Sequence, residues 1–260
     1  MFPILFHLGP VQVHSYGVML MLGFLAGIAL SQRQARRLGL SPDLPIDLGV
    51  WILVFAIVLS RLVFVALNWG DSSHRLLDIV GIWREGGLSF HGGLLGGILA
   101  TLLYGRLHKL SFGVMADLLS PGLALGYALA RIGCFLNGCC YGEPTKLPWG
   151  VVFPGITTDP CHPTQLYSSL GSLIILALLL WVQPRLKARG QLFATYLILY
   201  TILRGIVEIF RSGATGQVVF GPITQAQVAS VIILALALYL YSWLGRKGER
   251  FAPPSTRRSK

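Results

Sequence analysis

Apolar segments of membrane-spanning length recur throughout this 260-residue chain. A helix needs about 20 predominantly apolar residues to cross the ~30 Å hydrocarbon layer of a bilayer. Charged residues make up only 12% of the chain, whereas soluble domains carry about 25%. We therefore predict an all-α integral membrane protein rather than a soluble domain with one large core. Its seven transmembrane helices are expected at residues 13–31, 46–68, 88–105, 113–135, 165–183, 190–210 and 224–244.

Positive charge is distributed unevenly between the two ends of these helices. A biased distribution of this kind marks the cytoplasmic side of a membrane protein, and here it predicts an outer N-terminus and a cytoplasmic C-terminus. It also accounts for the net charge of +11 without nucleic acid as a partner. The basic residues that follow the first, third, fifth and seventh segments are Arg33, Arg36, Arg37, Arg106, Lys109, Arg185, Lys187, Arg189, Arg246, Lys247, Arg250, Arg257, Arg258 and Lys260.

The order of the segments predicts one polytopic membrane domain over residues 1–245. Residues 246–260 combine basic side chains with Pro, Ser and Thr, which is typical of a disordered tail near anionic lipid headgroups. The longer connections on the outer side are residues 69–87 and 136–164. We expect these two connections to form a small extracytoplasmic cap.

Three arginines, Arg61, Arg131 and Arg204, fall within or at the edges of the predicted helices. A charge in the hydrocarbon layer is costly, so it tends to face a partner, a cavity or a ligand. Because a guanidinium matches phosphate oxygens in both geometry and charge, an anionic phospholipid is the candidate ligand. Internal ion pairs with Asp117 or Glu208 are the alternative interpretation.

Two polar patterns accompany these arginines. Tyr200, Arg204 and Glu208 are spaced four residues apart, which places them along one face of a helix. Such a face either orients Arg204 toward a ligand or forms a structural ion pair between helices. His91 lies between paired glycines in GGLSFHGG, where it is a candidate proton acceptor or a hydrogen-bonded interior residue.

Three of the four cysteines occur in the stretch ARIGCFLNGCCYGEPT, residues 130–145. The outer side of the membrane permits disulfides, and a bond from Cys140 or Cys139 to Cys161 is the favoured interpretation. The alternatives are zinc bound by Cys139, Cys140, Cys161 and His162, a thiol that carries an acyl or glyceryl group, and small buried packing residues. No metal or other cofactor is predicted as a requirement.

Six motifs follow one another along the chain: HSYG, SRLVFVALNW, GGLSFHGG, ARIGCFLNG, HPTQLY and YTILRGIVEIFR. In this order and spacing the chain resembles the bacterial prolipoprotein diacylglyceryl transferase family over residues 10–245. The resemblance implies an inner-membrane enzyme with seven spans. Its implied partners are phosphatidylglycerol, from which it takes the diacylglyceryl group, and a prelipoprotein signal peptide with a lipobox cysteine. The product would be a thioether, and glycerol phosphate would leave.

The resemblance also assigns roles to individual residues. It implies that Arg131 and Arg204 hold the phosphate, that His91 is the candidate base, and that Tyr200 and Glu208 complete the catalytic group. Substrate-binding residues are predicted at Tyr16, Arg61, Gly92, Asp117, Asn137 and Gly142, of which Arg61 rests on its intramembrane charge alone.

The stretch around Arg131 departs from the usual family pattern, Gly-Arg-x-Gly-Asn-Phe-x-Asn-x-Glu. Ala130 replaces the first glycine, Cys134 the first asparagine and Cys139 the glutamate. The fifth-span motif usually ends in Tyr-Glu, but here Tyr167 is followed by Ser168. These departures leave two alternatives open: a non-catalytic paralogue that binds anionic phospholipid, and a related transferase with another acceptor.

Overall fold

The computed structural model describes residues 1–8, 11–68, 87–211, 218–220 and 223–247, which are predominantly helical. Among the described helices, six are long and apolar enough to cross a membrane, and α3 is the exception. The expected all-α membrane architecture is confirmed. The helices are α1 (Ser15–Arg37), α2 (Leu44–Leu67), α3 (Phe90–His108), α4 (Phe112–Asn137), α5 (Thr164–Val182), α6 (Gln191–Ile209) and α7 (Gln225–Lys247).

The secondary structure differs in two respects from what the sequence predicts. Helix α1 continues past residue 31 to Arg37, because SQRQARR consists mostly of good helix formers that extend the helix beyond its apolar part. Two short antiparallel hairpins were not predicted, since strands this short carry too little alternation to be detected from sequence. They are β1 (Ile4–Leu8) with β2 (Val11–His14), and β3 (Val218–Phe220) with β4 (Ile223–Thr224).

The chain divides into a small unit, Gln32–Met115, and a large unit, Met1–Ser31 with Ala116–Lys260. In the small unit, α2 and α3 pack closely along each other. A Cβ atom on Gly92 would overlap the carbonyl oxygen of Leu59, and one on Gly96 would overlap that of Phe55. Glycine at these two positions therefore lets the helix backbones approach, as is common for helices packed in lipid.

The large unit has a buried apolar core shared by three helices. Ala124 of α4, Ile175 and Leu179 of α5, and Leu192 of α6 pack together. The Ser172 hydroxyl on α5 also donates to the Ala124 carbonyl oxygen at 2.8 Å. These contacts hold α4, α5 and α6 together, and α4 and α6 carry most of the predicted site residues.

The described part of the predicted cap is a folded connection between α4 and α5. The chain turns at Gly138, which has a φ of +79°, and then pairs with the segment that leads into α5. The Gly142 N–H donates to His162 O at 2.9 Å, and the His162 N–H donates to Glu143 O at 3.0 Å. Residues 69–86 of the cap and residues 248–260 of the predicted tail lie outside the described residues.

Candidate functional site

Arg131 lies on α4 in the large unit and is half-buried. Its guanidinium packs over the ring of Tyr127, one helical turn earlier, with Cζ 4.7 Å from the ring centroid. Among the described residues, no carboxylate forms an ion pair with Arg131. A cation–π contact offsets only part of the cost of removing a charge from water, so this environment favours an anionic ligand beside the arginine.

A second cationic group is centred on Glu208, whose side chain is only 2% exposed. Its Oε2 atom accepts a hydrogen bond from Nη1 of Arg204, one turn earlier on α6. The same oxygen lies 3.9 Å from Nη1 of Arg211, just beyond the end of the helix. One carboxylate thus contacts two guanidinium groups, and the three side chains together carry a net positive charge.

Tyrosine rings in contact with one another connect these two groups. Tyr200 lies edge-on to Tyr127, with ring centroids 5.3 Å apart, and stacks on Tyr196 at 5.9 Å. The Tyr200 hydroxyl is within electrostatic reach of both Arg131 and Arg204. The structure therefore brings the two arginines predicted to hold phosphate into one site, together with a hydroxyl that can donate to a phosphate oxygen.

The thiols of Cys134, Cys139 and Cys140 meet at the end of α4, with all three sulfur atoms within 4.8 Å of one another. We call residues 134–140 the cysteine turn. Helix α5 holds its backbone, because Thr164 Oγ1 donates to the Cys140 carbonyl at 2.8 Å. Gln165 Nε2 donates to the Cys139 carbonyl at 2.6 Å. The thiols are therefore attached to a backbone that is fixed from a neighbouring helix.

Three of the predicted substrate-binding residues lie around the cysteine turn. Tyr16, in the first turn of α1, is 40% exposed and lies within electrostatic reach of Arg131 and the three thiols. Asn137 ends α4 with its side chain near the Cys139 thiol. Gly142 is buried, and a Cβ atom there would overlap the backbone just after α6, so a larger residue would displace that contact.

Hydrogen bonding, burial and nearby charges shift the pKa values of two groups just outside the helices. The pKa of the Cys140 thiol is lowered, because the two neighbouring thiols can donate hydrogen bonds to its thiolate and because Arg211 and Arg131 stabilise the negative charge. The pKa of Arg211 is lowered by burial and by repulsion from Arg204. An anion bound beside these arginines would relieve that repulsion.

The small unit contains three other predicted residues. His91 lies in the first turn of α3 with an exposed side chain. Gly92 makes the close approach to α2, so helix packing accounts for its contacts. Arg61 is 9% exposed, donates from Nη1 to Gly87 O at 3.0 Å, and lies over the Phe64 ring at 5.5 Å. These contacts of Arg61 hold the segment that precedes α3.

Asp117 is occupied by backbone groups rather than by an arginine. Its Oδ2 atom accepts from the Gly190 N–H at 2.6 Å, and Oδ1 accepts from the Phe193 N–H at 2.9 Å. The first N–H groups of a helix lack partners within the helix, so Asp117 caps the start of α6 from its position on α4. The ion-pair alternative for Asp117 does not occur among the described residues.

The predicted disulfide between Cys140 and Cys161 is wrong for this structure, in which all four cysteines are free. Cys161 pairs through its backbone with Val151, with N···O distances of 2.9 and 3.0 Å, and its thiol donates to Asp159 O at 3.4 Å. The third thiol near Cys139 and Cys140 is instead that of Cys134. The zinc alternative that uses Cys161 is therefore not assembled.

Three members of the site were not predicted from the sequence. They are Tyr127, Tyr196 and Arg211, and helical spacing is the signal that points to them. Tyr127 precedes Arg131 by four residues, and Tyr196 precedes Tyr200 by four, so each pair shares a helix face. Arg211 follows Glu208 by three residues, which is also a contact spacing.

Comparison with known proteins shows where this site belongs. A sequence profile of the family described as prolipoprotein diacylglyceryl transferase matches residues 3–243. The chain belongs to this family. The resemblance based on six ordered motifs is thereby confirmed, and membership of the prolipoprotein diacylglyceryl transferase family extends over both units of the chain.

Relatives named phosphatidylglycerol–prolipoprotein diacylglyceryl transferase are similar along most of their length. The protein of Nostoc sp. is 36% identical over 256 residues, which cover 93% of this chain and 89% of the relative. That of Thermosynechococcus vestitus is 39% identical over 238 residues, covering 88% and 87%. That of Clostridioides difficile is 32% identical over 244 residues, covering 94% and 96%.

Proposed function

We propose that this chain transfers the diacylglyceryl group of phosphatidylglycerol to the thiol of the lipobox cysteine in a prelipoprotein signal peptide. The relatives' names give phosphatidylglycerol and prolipoprotein as what those proteins act on. The observation that carries the proposal is the environment of Arg131. It is half-buried, has no carboxylate partner among the described residues, and lies with Arg204 around the Tyr200 hydroxyl.

The arginines fit the charge that develops in this reaction. The acceptor sulfur bonds to the glyceryl carbon that bears the phosphate, and the carbon–oxygen bond breaks with its electron pair on the phosphate. A phosphodiester with one negative charge thus becomes a phosphomonoester that carries more negative charge. Donors placed where charge develops stabilise the transition state, and Arg131, Arg204 and the Tyr200 hydroxyl serve this role. Glu208 orients Arg204 through their ion pair.

The remaining predicted residues serve the lipid and the acceptor. Tyr16 and Asn137 position the lipid near the cysteine turn. The acceptor thiol must lose its proton to become a nucleophile, and His91 is the proposed base. We place the protein in the inner membrane with its N-terminus outside and its C-terminus in the cytoplasm, on the support of the positive-inside distribution of its basic residues. A two-tailed lipid would then enter the site sideways from the bilayer.

The test uses the purified full chain in phosphatidylglycerol micelles with a lipobox peptide. We expect one glycerol phosphate released for each peptide that gains a diacylglyceryl group, measured by an enzymatic glycerol phosphate assay and by peptide mass. The matched control peptide carries Ser in place of Cys, and it should give neither signal. Glycerol phosphate release that does not depend on the peptide thiol would contradict the proposal.

One observation favours the alternative of a lipid-binding paralogue. Ser168, at a position where the family pattern has glutamate, is buried and donates its hydroxyl to Thr164 O at 2.8 Å. This position therefore supplies no carboxylate. In the same assay a paralogue would retain bound phosphatidylglycerol and leave the peptide mass unchanged. A transferase with another acceptor would release glycerol phosphate only when a different thiol or hydroxyl compound is added.

A further inference from the structure

The cysteine turn brings together three side chains of a kind suited to a soft metal ion. Cys134 is 8% exposed, and Cys139 and Cys140 are half-buried. Two of the three stand where the family pattern has an asparagine and a glutamate, so sulfur ligands have replaced oxygen and nitrogen groups beside Arg131. The reaction proposed above does not use these thiols, which leaves their proximity unexplained.

We propose that Cys134, Cys139 and Cys140 bind one Zn²⁺ ion through three thiolates, and that its fourth position receives the acceptor thiol of the peptide. The first part, the zinc site, stands on the geometry of the turn. The second part, the acceptor in the fourth position, rests on the proposed function.

The sulfur separations fit one shared ion. Zinc–thiolate bonds are about 2.3 Å long, so sulfurs around one tetrahedral zinc lie about 3.8 Å apart. Here the sulfurs of Cys139 and Cys140 are 3.5 Å apart, and the whole set falls within 4.8 Å. A disulfide would instead require two sulfurs to approach to about 2.05 Å. Small side-chain rotations are enough to reach the zinc geometry.

The backbone of the turn is held as a metal site requires. Groups outside the ligand set that fix ligand orientation contribute strongly to metal affinity. The carbonyls of Cys139 and Cys140 are bound by Gln165 and Thr164 of α5, and the Cys139 N–H donates to Cys134 O at 3.1 Å. Cys140 has a φ of +67°, a left-handed conformation that costs energy for a residue with a side chain. The turn is thus held in an unusual shape that gathers its thiols.

The surrounding charges suit a thiolate complex of zinc. Three thiolates and one Zn²⁺ carry a net charge of −1, which needs cationic neighbours in a partly buried site. Arg131 and Arg211 both act electrostatically on Cys140. Three protein ligands with one exchangeable position are typical of catalytic rather than structural zinc sites.

The fourth position would activate the acceptor. The peptide thiol displaces a zinc-bound water, and its proton passes to solvent, because a thiol that coordinates zinc is deprotonated. In this proposal zinc replaces His91 as the group that activates the acceptor thiol. The bound sulfur then forms the bond to the glyceryl carbon, and the carbon–oxygen bond breaks with its electron pair on the glycerol phosphate. No oxidation or reduction takes place. The thioether sulfur of the product is a weaker zinc ligand than a thiolate, so water replaces it and the product leaves.

The test begins with zinc itself. The purified full chain is treated with a chelator, titrated with Zn²⁺, and analysed for bound metal. We expect one zinc per chain, retained in Cys161→Ala and lost in Cys139→Ser. Cys161 is the matched control because it is the cysteine that lies outside the cluster. A chain that binds no zinc while its four thiols are fully alkylable would overturn the proposal, as would equal zinc binding by the two variants.

The second measurement replaces zinc with Co²⁺ in the unmutated chain, so it does not depend on a variant that folds. Co²⁺ has absorption bands that report thiolate ligands and coordination number. We expect the spectrum to change when a lipobox peptide is added and to stay unchanged with the Ser peptide. An unchanged spectrum with both peptides would overturn the role of the fourth position.

The two proposals can fail separately. Transfer by metal-free chain at the rate of zinc-loaded chain would overturn the role of the fourth position and leave the proposed transferase function intact. A cobalt spectrum that responds to the Cys peptide without any transfer would support the metal site and contradict the proposed function.

Discussion

Arg61 and Arg131 look alike in the sequence, since each is a lone arginine in an apolar segment, but their environments differ. Arg61 is buried in the small unit, where it donates to the Gly87 carbonyl. Arg131 is half-buried in the large unit, where it contacts the Tyr127 ring. A backbone carbonyl on a neighbouring segment is the kind of partner that fixes a fold. The ring and the hydroxyl of one tyrosine engage only part of a guanidinium, which has five N–H donors, so others are available to a ligand.

The difference shows that the partner of an intramembrane charge is more informative than the charge itself. An arginine is expected to face a partner, a cavity or a ligand, and these two arginines illustrate the first and the last possibility. We therefore expect substitutions at Arg61 to affect mainly stability and substitutions at Arg131 to affect mainly turnover.

The largest effect is expected for Arg131→Ala. Loss of a donor aimed at developing negative charge typically costs about 10²–10³-fold in rate, and we expect a loss of kcat/KM in this range. Arg131→Lys should recover part of it, because a lysine keeps the charge but not the planar fork. Glycerol phosphate release is the measurement, and the melting temperature is the control. A kcat/KM within threefold of the unmutated chain would remove the arginine from the phosphate site.

Glu208→Ala tests the second cationic group. It leaves Arg204 and Arg211 without the carboxylate they share. We expect the free energy of unfolding to fall by about 2 kcal/mol. This is less than the roughly 3–5 kcal/mol lost when a fully buried pair is broken, because Arg204 is 18% exposed. Chemical denaturation measures this loss. Phosphatidylglycerol should restore stability more in this variant than in the unmutated chain, whereas a zwitterionic lipid should not. Equal recovery with both lipids would argue against phosphate binding at this group.

Arg61→Ala sharpens the comparison from the other side. It removes the donor to Gly87 O, and an unpaired buried acceptor typically costs about 1–3 kcal/mol. We expect a lower melting temperature and a kcat/KM within about threefold of the unmutated chain at temperatures where the variant is folded. A loss of kcat/KM similar to that of Arg131→Ala would mean that both arginines bind substrate, as the sequence analysis predicts for Arg61.

The smallest effect is expected for Asp117→Asn. The amide keeps one acceptor for the backbone N–H groups at the start of α6 but replaces the other with a donor. Loss of a helix cap costs about 1 kcal/mol, and denaturant unfolding should show a loss of this size. The KM for phosphatidylglycerol should not change. A raised KM would indicate that Asp117 contacts substrate in addition to capping α6.

Much of the fold was predictable because membrane crossing imposes a length and a composition on each helix. Part of the arginine site was also predictable, because the spacing of Tyr200, Arg204 and Glu208 places them on one face of α6 whatever that helix packs against. The two hairpins were not predictable, because pairing between such short strands depends on their surroundings rather than on a local pattern.

The contacts of Asp117 and the cysteines depend on tertiary structure. Asp117 reaches the start of α6 across more than 70 residues of chain, so no local spacing reveals its role. Compartment and chain separation favour a disulfide to Cys161, but the turn at the end of α4 brings Cys134 to the other two thiols instead. Sequence identifies which residues carry chemistry here, and the fold decides which of them meet.

The most direct test of the account is the retention of phosphatidylglycerol by the chain without any peptide. Native mass spectrometry of the unmutated chain, Arg131→Ala and Arg61→Ala, released from the same mixed micelles, would count the lipids bound to each. We predict that the unmutated chain and Arg61→Ala retain one phosphatidylglycerol and that Arg131→Ala loses it. Equal retention by all three would contradict the central claim that Arg131 holds the phosphate.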